Sequence, residues 1–308
     1  MDPALPRWVR PHLEPPRPGV LIVCSQRRWV ADDMVNGADG RYPVRWDMGL
    51  DLPCAGPDLA AWWAPTEHAG RLLRAGAHLD LSAPGPSWLA RVPAGLTGRP
   101  VWAGRLSDLA AAPRRGWAKP AEAKVPGLGA AWYESTDEFA AKARAAGFPT
   151  AGWVQVSPLR LELAEEHRCY VLAGAVLTSS PYLLAGGSSY EEGWEHRADL
   201  QHASARGFAQ DVVDEMGEDQ PSAYTLDVGR TVEGTWVVIE ANPAWCSGTY
   251  GCELTAVADT VVESSASPPA ALGSSRHGRF AWAPDPYVVS FAASRPLLQP
   301  WPRPGREP

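Results

Sequence analysis

The sequence predicts a mixed α/β protein, and three features carry that reading. Gly19-Val-Leu-Ile-Val-Cys24 is a continuous apolar run between turn formers, the pattern of a strand buried on both faces. Ser135-Thr-Asp-Glu138 is a capping box that opens an amphipathic segment ending at Gly147-Phe-Pro149, which sets a helix over 136–146. Two apolar runs at 224–229 and 235–241 flank Glu233-Gly234 and read as a hairpin. With 308 residues, the chain has room for about two domains at the usual ~150 residues each.

Taken in order, residues 1–18 form a proline-rich leader. Arg7, Arg10, Glu14 and Arg17 stand among its six prolines and leave no apolar core for a signal peptide. The strand near 20–24 opens an N-terminal α/β domain spanning 19–100. Within it, 59–75 reads as a helix broken near Pro65, and 83–100 is punctuated by Pro and Gly as a boundary region. The main domain, 101–265, begins with a short strand at Trp117-Ala-Lys-Pro120 and a loop loosened by Gly127 and Gly129. A strand at 130–134, the capped helix and a strand at 152–157 follow. A hairpin over 168–177 turns at Ala173-Gly174, and then come a helix at 204–216, the 224–241 hairpin and a helix from Leu254. Past Ser264 the composition reverts to Ser, Pro, Gly and Arg, giving a C-terminal extension over 266–308 in which only 281–298 reads as ordered.

Charge and cysteine usage exclude several function classes. Lys+Arg 28 against Asp+Glu 35 gives a net charge of −7, the wrong sign for neutralising a phosphate backbone, so nucleic acid is not an expected partner. Five cysteines, an odd number without a Cys-x-x-Cys pair, suggest neither a disulfide framework nor a thiolate zinc site and fit a reducing cytoplasm. No apolar run approaches the roughly 18 residues of a membrane span, so a soluble protein without membrane contact is expected. P-loop, nucleophile-elbow, His-Glu-x-x-His and Rossmann glycine signatures are absent, and the seven histidines are scattered.

The chemistry concentrates in the second hairpin. With a turn at Glu233-Gly234, residues 227 and 240 pair, which sets Asp227 opposite Glu240. Alternation then puts Asn242 on the face of Glu240, and Leu226, Val228, Val237 and Ile239 on the opposite, apolar face. Directly opposed like charges are destabilising unless something offsets them, and this set of oxygen ligands suits Mg²⁺, which keeps several waters and binds substrate phosphates. The plainer reading is an amphipathic hairpin whose acidic face meets water. Its apolar runs read as central strands, and the turn Pro243-Ala-Trp-Cys-Ser-Gly-Thr-Tyr-Gly251 is rich in small residues beside which a ligand could lie. The complementary cations are Lys119, Lys124 and Arg168, the last alternating with Glu166. As strand-end cations they read individually as solvated groups of little consequence for stability.

In this order the chain resembles the ATP-grasp superfamily. The resemblance runs through Trp117-x-Lys119-Pro120 with Lys124, the strand Val154-Gln-Val-Ser157, Glu166-His-Arg168 and Asp227 followed by Glu240-x-Asn242. It covers about residues 100–260 and implies two α+β lobes with ATP between them, preceded by the small N-terminal domain. By resemblance, Lys119 and Lys124 serve the phosphates. The backbone of Gln155, Val156 and Ser157 lies near adenine, and Glu166 lies on its ribose side. Arg168 serves the phosphates or an acyl phosphate, and Asp227, Glu240 and Asn242 take Mg²⁺. The loop 123–131 departs from the Ser/Gly-rich covering sequence of many such ligases, and Gln155 stands where an acidic residue is common.

The activity implied is carboxylate–amine ligation with release of ADP. Arg168 and Lys124 are its catalytic groups, and a small-molecule or peptide acid and an amine acceptor are its substrates. The same fold also allows a kinase or a non-catalytic nucleotide-binding module, and a homodimer is an allowed assembly. Substrate is expected near Ser247, Tyr250 and Tyr182, under a cover at Ala185-Gly-Gly-Ser-Ser189, with Tyr250 or His167 as the only general-base candidates.

Overall fold

The computed structural model describes residues 18–47, 60–74, 79–184, 187–188, 195–266 and 277–294. The leader and most of the cover segment lie outside them. The architecture is mixed α/β in three sheets, a three-stranded one near the N-terminus and two further sheets of four and five strands.

The N-terminal unit is parallel. β1 (Val20–Cys24) is followed by α1 (Arg28–Ala38), β2 (Val44–Asp47), β3 (Ala60–Trp63) and α2 (Thr66–Arg74), in the strand order β2-β1-β3. β1 is buried on both faces, as its composition requires: Leu21 and Val23 join one apolar cluster, Ile22 and Cys24 the other. The expected helix over 59–75 is a strand followed by a helix. Ala-Ala-Trp-Trp has no polar face, and tertiary pairing with β1 decides it as a core strand; the helix begins only beyond Pro65.

The boundary region is packed as well. It forms two single helical turns, α3 (Trp88–Arg91) and α4 (Ala94–Thr97), and Trp88, Leu89 and Val92 are buried against the second lobe. The first lobe is an antiparallel sheet of β4 (Trp102–Arg105), β5 (Gly116–Pro120), β6 (Ala131–Tyr133) and β7 (Trp153–Ser157) in the order β4-β7-β5-β6, covered by α5 (Thr136–Ala145). Ser135 caps α5 by accepting from the Glu138 amide at 3.1 Å, while the Glu138 carboxylate reaches back to the amide of Glu134. Gly147, at φ +72°, ends it in the left-handed conformation that glycine adopts without strain.

The second lobe starts with the hairpin β8 (Leu163–Leu172) and β9 (Ala175–Leu184), turned by Ala173 and Gly174, both at positive φ. β10 (Gly187–Ser188) and α6 (Glu195–Met216) follow, then β11 (Ala223–Thr231) and β12 (Trp236–Asn242), in the order β10-β9-β8-β11-β12. α6 lays Ala205, Ala209, Val212, Val213 and Met216 on one face of this sheet. α7 (Leu254–Ser265) covers the other and also packs on α1 and β3, tying the lobe to the N-terminal sheet.

The segment past 266, read as an extension, is integral where described. Ala281 bridges Ser82, Trp282 stacks edge-on against Trp245 at 4.9 Å, and α8 (Pro286–Ser294) buries Tyr287 and Val288 in the first-lobe core. No helix among the described residues is long and apolar enough to cross a membrane.

Candidate functional site

β11 and β12 pair in the predicted register where it matters. Asp227 faces Glu240 and Thr225 faces Asn242, but between Asp227 and Val228 the register shifts by one and leaves Ile239 as an extra residue on β12. This bulge corrects the expected apolar face. Val238 joins the cluster of Leu226 and Val228, whereas Val237, itself buried at 1% exposure beside Gly98, and half-buried Ile239 lie outside that cluster, because one added residue exchanges the faces beyond it. Buried Arg99, which no sequence pattern singled out, donates to the bulge carbonyls of Val238 at 3.4 Å and Ile239 at 3.5 Å and so braces the strand that carries Glu240. Burial brings the pKa of its guanidinium down to about 10, with Glu240 opposing the shift.

The predicted site residues gather around this end of the hairpin. Asn242 Nδ2 donates to Glu240 Oε1 at 2.9 Å and to Asp227 Oδ2 at 3.3 Å, so the two carboxylates and the amide meet in one cluster. Cations offset the paired acids. Arg168, opposite Asp227 on β8, donates Nε to Oδ1 at 2.9 Å and a terminal nitrogen to Oδ2 at 2.6 Å, and Lys119 reaches across from the first lobe to an ion pair with Glu240. Burial opposes the charge of Arg168, but Asp227 outweighs it and keeps the guanidinium protonated. Burial also raises Asp227, and Arg168 pulls the other way. For Glu240, burial would raise the carboxyl, but the Lys119 ammonium and the Asn242 amide bring it down to about 2.

Glu166 is on the same face. Burial raises its carboxyl, and it accepts from the Tyr182 hydroxyl at 2.6 Å. The Tyr182 and Tyr250 rings stack at 5.1 Å, and both lie within 6 Å of the Arg168 guanidinium, which restricts its orientation. His167, one residue out of phase, is fully buried on the opposite face beside Glu165 and Trp236. Strand alternation removes it as a base for this site.

A cavity of about 620 Å³ opens against the cluster, walled by Arg168, Glu240, Asn242, Lys124, Gln155, Ser247, Gly248 and Tyr250 together with residues of the N-terminal unit. Lys124 is exposed on the loop after β5. Glu122, two residues earlier and absent from the sequence reading, also faces the cavity; burial, with Asp285 nearby, raises its carboxyl to about 8. Two of the expected groups are engaged within the fold. The backbone of Gln155 and Val156 is paired in ladders to β4 and β5, the Val156 side chain is in the core, and Ser157 ends the strand. The Ser247 hydroxyl is bonded to Pro243 O at 2.8 Å and Thr225 Oγ1 at 2.9 Å, so it braces the turn rather than pointing free into the cavity.

Among the described residues no three His, Cys, Asp or Glu side chains gather as metal ligands. The set here is two carboxylates and an amide. That set fits Mg²⁺ in that its hard oxygens match the ion, and Lys119 and Arg168 hold the carboxylate oxygens that a metal would share.

A family model for the ATP-grasp domain, the second family of its clade, matches residues 96–260, more than half of the chain and all of the elements just described from β4 to β12. The chain belongs to the ATP-grasp family. Among solved structures, this ATP-grasp protein is similar to D-cycloserine synthetase DcsG (15% identity, TM-score 0.46, covering 79% of this chain and 98% of that one). It is also similar to a RimK domain ATP-grasp protein from Sphaerobacter thermophilus DSM 20745 (14%, 0.44, 79% and 98%) and to the ATP-grasp ligase PsnB complexed with minimal precursor (13%, 0.42, 80% and 98%). No curated protein matches it.

Proposed function

We propose that this protein is an ATP- and Mg²⁺-dependent ligase. It activates a substrate carboxylate as an acyl phosphate for attack by an amine, giving an amide or peptide bond with ADP and phosphate. The observation that carries this reading is the joint cluster of Asp227, Glu240 and Asn242 with Lys119 and Arg168 at the wall of a cavity with room for a second substrate.

Asp227, Glu240 and Asn242 would hold Mg²⁺, which when bound supplies neutralising charge to the nucleotide phosphates. Lys119 and Lys124 approach the phosphates from the first lobe. Arg168, permanently charged and flanked by two aromatic rings, is a fixed cation for the oxygens of the transferred phosphoryl group. Gln155 and Ser157 at the end of β7, with Glu166, would lie toward the nucleoside, Val156 serving only to pack that strand. Tyr182 and Tyr250 border the acceptor side. The cavity's two thiols, Cys24 and Cys246, are pushed up to about 12 by burial, and the Ser247 hydroxyl is engaged. With no activated protein nucleophile supported, the substrate carboxylate attacks phosphorus directly, and positioning does most of the work.

The test is isotopic. With ¹⁸O in the substrate carboxylate, one label appears in the released phosphate, and hydroxylamine traps the acyl group as a hydroxamate. One label in AMP, with pyrophosphate released in place of ADP, would identify adenylation, and a stable phosphorylated product formed without an amine would identify a kinase.

A further inference from the structure

The cavity's far wall is built by the N-terminal sheet. In the order β2-β1-β3 the chain leaves β1 on one side and returns on the other, so the turns after β1 and β3 face a single crevice at the carboxyl ends of the strands, where open parallel sheets take ligands. These turns and the first turns of α2 place Arg27, His68 and Arg71 on the wall, against one carboxylate, Glu67. Burial keeps His68 below its usual range, with Asp47 opposing and Arg71 adding to the shift, so the ring is a neutral hydrogen-bonding group beside a guanidinium.

A second observation points to a ligand. Arg71 Nε and Trp88 Nε1, both from residues lining this cavity, are buried donors without a hydrogen-bond partner among the described residues, and Trp88 is only 1% exposed. Among the described residues lining the cavity, Oε1 of Gln155, on β7 of the first lobe, is a buried acceptor in the same condition, its amide nitrogen spent on Pro86 O at 3.1 Å. Buried polar atoms are ordinarily paired, and oxygen acceptors of a ligand would satisfy the two donors.

We infer that this wall, together with Trp88 of α3 across the cavity, is an oxyanion subsite for the acid substrate, which carries, besides the carboxylate to be activated, a second carboxylate or phosphate bound by Arg27, Arg71 and Trp88. The subsite deepens the ligase reading and rests on it only for which end of the substrate reacts. Planar guanidinium donors suit either oxyanion, and a cavity of this volume admits a small bifunctional acid.

Calorimetric titration of the full chain with glutarate, butyrate and inorganic phosphate, each with and without ADP and Mg²⁺, tests it. Glutarate is expected to bind at least about tenfold more tightly than butyrate in both conditions. Arg71→Gln and Trp88→Phe, with unchanged circular dichroism, should each shrink that ratio to within about twofold. Phosphate that competes with glutarate makes a phosphorylated acid the source of the second oxyanion; glutarate binding without such competition makes it a dicarboxylate. Equal binding of glutarate and butyrate, or a ratio preserved in both variants, overturns the subsite. Loss of ADP binding alongside Arg71-dependent glutarate binding counts against the ligase reading and leaves the subsite standing.

Discussion

Arg168 and Asp227 stand directly opposite each other on β8 and β11 and close a bidentate pair at 2.9 and 2.6 Å, with Asp227 1% exposed. The pair makes Arg168 a structural cation as well as a phosphate ligand, contrary to the expectation that it is solvated and dispensable for folding. Arg168→Ala leaves a buried carboxylate uncompensated, which costs about 3–5 kcal/mol in comparable sites. Both ADP release and the denaturant midpoint should fall. Arg168→Lys, which keeps charge but not the fork, should retain more stability than Arg168→Ala and little turnover. A midpoint for Arg168→Ala indistinguishable from the parent would contradict this account.

Lys119 and Glu240 form the second pair, and it spans the two lobes. An ammonium on a carboxylate competes with a metal for the same oxygens. Lys119→Met should therefore tighten Mn²⁺ binding in the absence of nucleotide by about tenfold, measured by electron paramagnetic resonance, while abolishing ATP turnover. Unchanged Mn²⁺ affinity would mean that Glu240 does not share its oxygens between the two cations.

The same pair predicts an acid sensitivity. The Glu240 carboxyl lies at about 2 in the folded protein against 4.5 ordinarily, because Lys119 and Asn242 outweigh the burial that would raise it. A depressed folded value means that the unfolded chain binds the proton first. The contribution is thus complete above pH 4.5 and is lost as the pH falls toward 2. Asp227 and Glu166 are raised by burial and act in the opposite sense, so the difference between parent and Glu240→Gln isolates the effect. Denaturation profiles across this window should be flatter for Glu240→Gln.

Gly37 tests the docking of the N-terminal unit. It lies where α1 meets α7, and an added Cβ would collide with the carbonyl oxygen of Leu254 and lie 2.9 Å from Ala258 Cβ. Helix propensity alone would make Gly37→Ala stabilising by about 1 kcal/mol, whereas overpacking costs about 1–3 kcal/mol. Because the collision is with backbone, which cannot rotate away, the cost should win and the denaturant midpoint should drop. A rise would mean that the two helices are not held against each other.

Much of the architecture was legible because it is local. The β1 run, the Ser135 cap, the Ala173-Gly174 turn and the β11–β12 hairpin are each specified by residues within a few positions, through propensity, capping and alternation. Alternation also put Asp227, Glu240 and Asn242 together, since pairing across a short turn leaves little freedom of register. The residues 60–63 were misread as helix because four apolar residues without a polar face carry no period, and only pairing with β1 assigns them.

What the sequence alone determined is therefore the α/β class, the family resemblance and the identity of the charged groups at the closing hairpin. Only the tertiary structure decided which cation pairs with which carboxylate, that Arg168 is buried while Lys124 is exposed, that a bulge at Ile239 exchanges the faces of β12, and that Arg27, His68, Arg71 and Trp88 share a cavity with Arg168. The physical reason is range. Local rules act within one turn or hairpin, whereas burial, ion pairing and cavity walls join residues far apart in the chain, 121 positions for Lys119 and Glu240 and 218 for Arg41 and Asp259, and exist only once separate elements have packed.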